Sequence, residues 1–195
     1  METLLALVGF SFVSSVTPGP NNLLLWASGA EFGFLATSRH VIGTALGIGA
    51  MALVAAAGIA ELVAMVPGVE LALRLAASAY LIYLAYRIAG AHVFERSAIS
   101  RPLGLTGAAA FQVVNPKAWI FALGAVTAFR PPGLSPVVGT IAVAATMTLV
   151  VIPSAAIWAG AGGAVGGLMN DRRSGRIVSA VMAVLLAVSV VAIWI

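Results

Sequence analysis

Charged residues are scarce in this chain, and cysteine is absent from it. Only 8% of its 195 residues are charged and 62% are hydrophobic, whereas an ordinary soluble domain is roughly 25% charged. Without cysteine the chain can form no disulfide, has no thiolate and offers no cysteine ligand to a metal. The composition therefore predicts a protein whose outer surface faces a lipid bilayer, with little material outside it.

The net charge of +4 would suggest nucleic acid as a partner in a soluble protein. Here the basic residues fall between apolar segments, so membrane topology explains them better and we expect no nucleic-acid partner. One side of the membrane receives Arg39, Arg87, Arg96, Arg101, Arg172, Arg173 and Arg176, and the other receives Arg74 and Arg130. By the positive-inside rule the richer side is cytoplasmic, which places both termini outside.

Six apolar segments reach the roughly 20 residues that a helix needs to cross a bilayer core. Their hydrophobic runs are continuous and do not alternate, which argues against strands. The segments cover about 4–30, 41–66, 71–89, 105–129, 136–163 and 177–195. The predicted fold class is an all-α membrane protein with six transmembrane helices in a single domain.

Proline breaks interrupt the first and fourth segments at matching places. The first break is Thr17-Pro18-Gly19-Pro20-Asn21-Asn22 and the second is Asn115-Pro116-Lys117, about half a chain length apart. Three helices per half is an odd number, so a repeated half must enter the membrane in the opposite sense. We predict two inverted-topology repeats, about 1–97 and about 98–195. The alternative is chance, because proline is tolerated in membrane helices.

The first break cannot be a regular helix throughout, because each proline fixes its own φ and disfavours αR in the residue before it. A new half-helix can start at Asn21 or Asn22, both good N-cap residues. Its first N–H groups would point into the membrane interior and suit a carboxylate. The plainer interpretation is a kink that binds no ligand and whose freed carbonyls are satisfied by Thr17 or Ser14.

Lys117 falls near the centre of the fourth segment, where a lysine costs about 2.5–3.5 kcal/mol to insert and indicates function by default. The N-terminus of a half-helix also disfavours a cation. Three explanations are open: an anionic ligand visits, carbonyls of the other break bind the ammonium, or Lys117 spends time neutral and couples transport to protons. If the helix instead began at Pro116, Lys117 would lie at the surface, but the remaining apolar run would be too short to cross.

These motifs, with a glycine-rich helix after Arg39 and Gln112 before the second break, resemble the lysine exporter (LysE/RhtB) family. The likeness covers essentially the whole chain and is greatest to the cysteine/O-acetylserine and homoserine/threonine branches. The resemblance implies a six-helix exporter in the bacterial inner membrane. It implies efflux of a small zwitterionic amino acid or derivative from the cytoplasm, driven by the proton motive force.

Combining the motifs with the resemblance, we expect a substrate site built from the two breaks. A half-helix N-terminus or Lys117 would hold the carboxylate of the substrate, and freed carbonyls with nearby amides would hold its ammonium. The candidate residues are Thr17, Pro18, Gly19, Pro20, Asn21, Asn22, Gln112, Asn115, Pro116 and Lys117. Glu31 and Arg39, which flank the first cytoplasmic connection together with His40, could form a gate or simply a solvated loop.

An enzyme is not expected, because the two histidines, His40 and His92, are far apart and no metalloprotease or hydrolase motif is present. We likewise expect no cofactor and no metal. The remaining alternatives are a passive channel and a membrane scaffold without transport. A homodimer is also left open, since the small residues Gly43, Ala45, Gly47 and Gly49, with Gly162 and Gly166, suit packing within or between subunits.

Overall fold

The computed structural model describes residues 2–90, 101–166 and 172–194. Within these ranges the regular structure is helical and contains no strand. The helices are α1 Glu2–Val16, α2 Pro20–Phe32, α3 Phe34–Val54, α4 Ala60–Met65, α5 Val69–Gly90, α6 Leu105–Val114, α7 Pro116–Ala128, α8 Pro136–Val165 and α9 Arg172–Ser189. A π-helical segment, Ala55–Ile59, joins α3 to α4, and a 3₁₀ turn, Val191–Ile193, follows α9.

Four stretches are long and apolar enough to cross a membrane as single helices: Phe34–Ile59, Val69–Ala89, Pro136–Val165 and Ser174–Ile193. Two further spans arise if each bent helix pair counts as one crossing. The described part of the chain therefore has four to six candidate spans, which confirms the all-α, membrane-spanning class.

Both bends lie at the predicted proline breaks. The α1–α2 pair is bent by 62° and the α6–α7 pair by 81°. Gly19, between Pro18 and Pro20, is fully extended, with φ −171° and ψ 175°. Asn115, before Pro116, is also extended, with φ −90° and ψ 106°. Each residue precedes a proline that disfavours αR, so the chain leaves the helix there and restarts in a new direction.

The α2–α8 interface is close because glycines face backbone across it. A Cβ added at Gly29 would overlap the Ala159 carbonyl, and one at Gly162 would overlap the Trp26 carbonyl. A Cβ at Gly166 would meet the backbone of Ala30 in the same way. The predicted close packing at Gly162 and Gly166 is confirmed, and both glycines pack within one subunit.

Glycines of α3 make a second close interface, with α6. A Cβ at Gly43 would overlap the Leu105 carbonyl, and one at Gly47 would press against Ala109 and the Gln112 side chain. The other face of α3 packs on α8, where Gly49 lies against Thr148. Helices α3 and α8 thereby form the centre of the fold.

Two apolar clusters fill the interior. The first joins residues of α1, α3, α7 and α8, among them Leu7, Ile48 and Met147. The second joins residues of α2, α5, α8 and α9, among them Leu25 and Leu81. Large apolar side chains also cover the outside, where they suit contact with lipid tails. Beside the two breaks Gly19, Pro20, Gln112 and Asn115 are buried, whereas Val113 and Val114 are exposed.

Some sequence-based expectations lie outside the described residues. The predicted repeat boundary at 97/98 falls in 91–100, as do His92, Glu95 and Arg96. Part of the last connection falls in 167–171.

The close α2–α8 contact predicts a difference between two neighbouring glycines of α8. Gly162→Ala should lower the free energy of unfolding by about 1–3 kcal/mol, because the new methyl group meets a backbone carbonyl that cannot rotate away. Gly160→Ala is the matched control, since a Cβ there has its nearest neighbour, Phe34 Cδ2, at 4.0 Å. Thermal unfolding of both variants in detergent measures the difference, and equal melting temperatures would contradict the close packing.

Candidate functional site

Lys117 of α7 joins the two breaks. Its Nζ donates to the Thr17 carbonyl at 2.7 Å, to Thr17 Oγ1 at 2.8 Å and to the Pro18 carbonyl at 3.0 Å. All three hydrogens of the ammonium group are therefore used. Of the three explanations offered for this lysine, the structure shows the second, in which carbonyls of the other break bind the ammonium.

Side chains satisfy the carbonyls that the first break leaves free. Because Pro18 and Pro20 have no N–H, the carbonyls four residues earlier, at Ser14 and Val16, lose their helical donors. The Thr17 hydroxyl donates to the Ser14 carbonyl at 2.9 Å. Trp158 of α8 donates its Nε1–H to the Val16 carbonyl at 3.1 Å. Thr17 thus satisfies one freed carbonyl, as the plainer interpretation of this break has it, while Trp158 of α8 satisfies the other.

Asn22 satisfies two more carbonyls of the same break. Its Nδ2 donates to the Ser15 carbonyl and to the Thr17 carbonyl, both at 2.8 Å. With the Lys117 bonds, every carbonyl from residue 14 to residue 18 accepts a hydrogen bond from a side chain. In the membrane interior such donors are required, because lipid offers none.

The prediction that Asn21 or Asn22 caps the second half-helix is wrong. Helix α2 begins at Pro20, and Gly19 is its N-cap without a side-chain bond. Proline suits the first helical position because its φ is preset and its missing N–H would have been unpaired there. The two asparagines lie inside the first turn instead, where their amides serve the polar junction.

The second break contains one proline instead of two, and some of its carbonyls find donors within the same segment of chain. The Asn115 N–H donates to the Gln112 carbonyl at 3.1 Å, which replaces the bond that Pro116 cannot make. Trp119 donates its Nε1–H to the Val113 carbonyl at 2.8 Å. Asn115 is the N-cap of α7, and its side chain makes no capping bond, so its amide remains available to its surroundings.

Asn21 is the centre of a buried hydrogen-bond network. Its Oδ1 accepts from Gln112 Nε2 at 2.9 Å, from Thr44 Oγ1 at 3.2 Å and from His40 Nε2 at 3.3 Å. Gln112 also donates to the Ala108 carbonyl at 3.0 Å. The network connects α2, α3 and α6, so it links both bent pairs to a central helix.

A cavity of ≈ 40 Å³ lies beside this junction, with room for roughly three waters. One wall is polar and the other is apolar. Lys117 is the single charged residue among those that line it. The polar wall comprises Ser14, Ser15, Gly19, Pro20, Asn21, Asn22, Thr44, Gln112, Asn115 and Lys117, and the apolar wall comprises Ile48, Ala118, Phe121, Val151 and Ala155.

Two buried polar atoms beside the network have no hydrogen-bond partner among the described residues. Asn115 is 4% exposed, and its Oδ1 accepts no bond; its Nδ2 donates to Gln112 Oε1 at 3.4 Å. His40 is fully buried, and its Nδ1 is unpaired while Nε2 faces Asn21. A buried polar atom without a partner is costly, and Asn115 lines the cavity, so its oxygen is a natural acceptor for a ligand N–H.

Seven of the ten predicted substrate residues line the cavity: Gly19, Pro20, Asn21, Asn22, Gln112, Asn115 and Lys117. Thr17 and Pro18 supply the oxygens that hold Lys117. Pro116 is not among the lining residues and starts α7. Glu31 and Arg39 are exposed and, within the described ranges, form no ion pair with each other, so the gate stays a prediction.

Sequence reasoning missed several side chains of the junction. His40 was placed at the first connection, yet it is buried in α3 and contacts Asn21. Thr44 follows one turn later on the same helix face, which is the signal that could have linked the two. Trp158 and the apolar wall carry no such signal, because apolar residues occur along every span.

The path of Lys117 across Gly19 gives a testable consequence. A Cβ added at Gly19 would lie 2.9 Å from Lys117 Cδ and 3.2 Å from Nζ, so Gly19→Ala should push the ammonium out of its bonding position. We expect a loss of about 1–3 kcal/mol in unfolding free energy, because bonds from a charged donor are weakened. Thermal unfolding in detergent measures the loss.

Gly104→Ala is the matched control for this substitution. Gly104 is also an extended N-cap glycine, with φ −71° and ψ 173°, and a Cβ there meets nothing within 4 Å. If the two variants unfolded at the same temperature, Lys117 would not be held as tightly as its three bonds indicate.

Comparison with known proteins finds one matching family model and several similar relatives. The model of the LysE type translocator family matches residues 12–193. Proteins described as cysteine/O-acetylserine efflux proteins, from Escherichia coli (strain K12), Shigella sonnei (strain Ss046) and Shigella flexneri, are 28% identical to the chain over 186 residues. The match covers 95% of this chain and 94% of each relative. No solved structure matches the chain.

Proposed function

This chain belongs to the LysE type translocator family, and we propose that it exports small amino acids or their derivatives from the cytoplasm. The apolar helices and the efflux family support a multi-pass protein of the inner membrane. The relatives named for cysteine and O-acetylserine efflux suggest substrates of that size. Among the described residues no acidic side chain lines the cavity, so a substrate with an uncharged side chain suits it best.

The observation that carries the proposal is a polar cavity at the meeting point of two broken helices. Broken helices at the centre of a transporter can expose backbone groups to a substrate. Irregular backbone is tolerated at membrane depth where it lines a cavity or is buried in protein. The ten residues predicted from the sequence would bind the zwitterion. Its carboxylate would face Lys117 or the start of α2, and its ammonium would face the freed carbonyls and the Asn115 amide.

The order of the elements supports two repeats. Each half begins with a bent pair, α1–α2 or α6–α7, and continues with a long span and a further helix, α3 and α5 or α8 and α9. We propose that the halves have inverted topology, divided near residue 97, and that alternating access follows when one half rocks against the other. The arginine distribution then puts both termini outside.

We further propose that the proton gradient drives export, with Lys117 carrying the coupled proton. An amine inside the membrane is the group best suited to this role, since the described spans contain no acidic side chain that lines the cavity. Loss of its proton would free the Thr17 and Pro18 oxygens, and regaining it would close the junction again.

Transport into inside-out vesicles tests the function directly. Purified protein in vesicles with an imposed proton gradient should accumulate O-acetylserine or cysteine, and an uncoupler should abolish the accumulation. Lys117→Ala and Asn21→Ala should each reduce the rate by at least roughly tenfold, the effect of about 1.4 kcal/mol in the transport barrier. Initial rates with radiolabelled substrate provide the measurement.

Thr127→Ala is the control on the same helix as Lys117. The Thr127 hydroxyl is exposed and bonds only within α7, to the Leu123 and Gly124 carbonyls, so its removal should leave the rate unchanged. Flux that continues at full rate after the gradient collapses would indicate a channel. Normal export by both site variants would show that the cavity is not the substrate site.

A further inference from the structure

We propose that the three oxygens around Lys117 Nζ form an ammonium site that Lys117 and the substrate's ammonium group occupy in turn. We call this group the oxygen cage; its members are the Thr17 carbonyl, Thr17 Oγ1 and the Pro18 carbonyl. The inference deepens the proposed function and rests on it, because it assigns a specific partner to one end of the zwitterion.

The cage has the form of a site for a primary ammonium group. Its oxygens lie 2.7, 2.8 and 3.0 Å from Nζ, which gives one acceptor to each N–H of the cation. The Thr17 hydroxyl is oriented for this role, because its own hydrogen goes to the Ser14 carbonyl. Asn22 donates to the second lone pair of the Thr17 carbonyl. Hydrogen bonds therefore hold both Thr17 oxygens of the cage in place.

While Lys117 occupies the cage, its ammonium has no hydrogen left for a carboxylate. A substrate carboxylate can therefore engage Lys117 fully only if the lysine leaves the cage. Once it leaves, the cage oxygens need another donor, because bare carbonyls in a lipid-enclosed interior are costly. The substrate's own ammonium supplies three N–H groups of the same geometry.

A second observation points to a ligand N–H at this place. Asn115, one residue before Pro116, lines the cavity with an Oδ1 that accepts no bond from the described residues. Gly19 leaves the space next to the Lys117 arm free of side chain. A small ammonium group in the cavity thus has an unpaired acceptor in Asn115 Oδ1, and Lys117, which also lines the cavity, connects that space to the cage.

Only a zwitterion keeps every charge paired in this exchange; a simple cation or a simple anion does not. With the substrate bound, its ammonium lies in the cage and its carboxylate faces Lys117, so each charge has a partner. A simple amine would add a second cation and leave Lys117 unpaired beside it. A carboxylate without an ammonium would leave Thr17 Oγ1 and the Pro18 carbonyl without the donor that Lys117 had supplied. The cage therefore selects molecules that carry both groups.

Chemical rescue of Lys117→Ala tests the cage without any transport assay. This variant removes four side-chain atoms, Cγ, Cδ, Cε and Nζ, and n-propylammonium supplies the same number in the same order. At ten times its dissociation constant it should raise the melting temperature of the purified variant in detergent by roughly 3–6 °C. Wild-type protein should not respond, because its own ammonium fills the cage.

Two controls identify the oxygens as the cause. Tetramethylammonium has the charge but no N–H, so it should not stabilise Lys117→Ala. The double variant Lys117→Ala/Thr17→Val lacks one cage oxygen, so n-propylammonium should raise its melting temperature several-fold less than that of Lys117→Ala. Equal stabilisation of wild type and variant by n-propylammonium, or equal stabilisation of the variant by tetramethylammonium, would overturn the cage.

The exchange itself can be followed in wild-type protein, which also covers the case in which Lys117→Ala does not fold. Lys117 is the only lysine in the chain, so ¹⁵N-lysine labelling gives a single side-chain ammonium resonance. O-acetylserine should shift that resonance saturably. Its isomer N-acetylserine, which keeps the carboxylate but lacks the ammonium, should not, and neither should n-propylammonium.

A shift of equal size with N-acetylserine would show that the carboxylate acts alone and would overturn the exchange. So would a resonance unmoved by a zwitterion that the vesicles export. The rescue by n-propylammonium and the comparison of O-acetylserine with N-acetylserine need no flux, so their outcomes are separable from the proposed function. A chain that shows rescue and exchange but exports nothing would refute transport and keep the cage.

Discussion

The structure depends on one constraint: carbonyl groups released by proline inside a membrane must find donors within the protein. In water a freed carbonyl would simply be hydrated, but lipid supplies no hydrogen. The first break releases carbonyls that are met by Asn22, Trp158 and Lys117. These donors come from α2, α8 and α7, so satisfying one break brings three helices of both halves of the chain together.

The same constraint explains how a lysine is tolerated among apolar helices. Inserting a lysine at the centre of a span costs about 2.5–3.5 kcal/mol, whereas a hydrogen bond from a charged donor contributes about 1.5–3 kcal/mol. Lys117 makes three such bonds, and the one to the Pro18 carbonyl supplies a donor to an oxygen that has no other side-chain donor among the described residues. The lysine and the broken helix therefore stabilise each other, and neither would be stable alone at this depth.

Much of this could be predicted from the sequence, because the strongest signals are local. Continuous apolar runs gave the spans, and Pro18, Pro20 and Pro116 gave the bends. Lys117 was found because a lone cation in an apolar run needs an explanation. The N-cap assignment to Asn21 and Asn22 failed although asparagine is a preferred N-cap residue. Asn22 donates to two freed carbonyls instead, and the Asn21 Oδ1 accepts from Gln112.

The partners across helices were beyond prediction, because helix rotation decides them. Trp158 donates to a carbonyl 142 residues earlier in the chain. Gln112 of α6, which packs against Gly47 of α3, donates to Asn21, 91 residues earlier. A sequence shows that glycines permit close contact, but not which helix they approach.

The distribution of close contacts bears on how such a fold can move. Glycines that lie against the backbone of a neighbouring helix hold α2 on α8 and α3 on α6. Interfaces of this kind resist sliding, because backbone atoms cannot rotate away. The junction between the breaks is different, since it consists of hydrogen bonds from long side chains beside a small cavity. Hydrogen bonds can pass to a new partner at little net cost if that partner offers the same groups. A zwitterion offers both an ammonium and a carboxylate, so it can replace the bonds of the junction. The glycine-packed pairs α2–α8 and α3–α6 each join one proposed half to the other, so rocking of the halves has to pivot about these pairs.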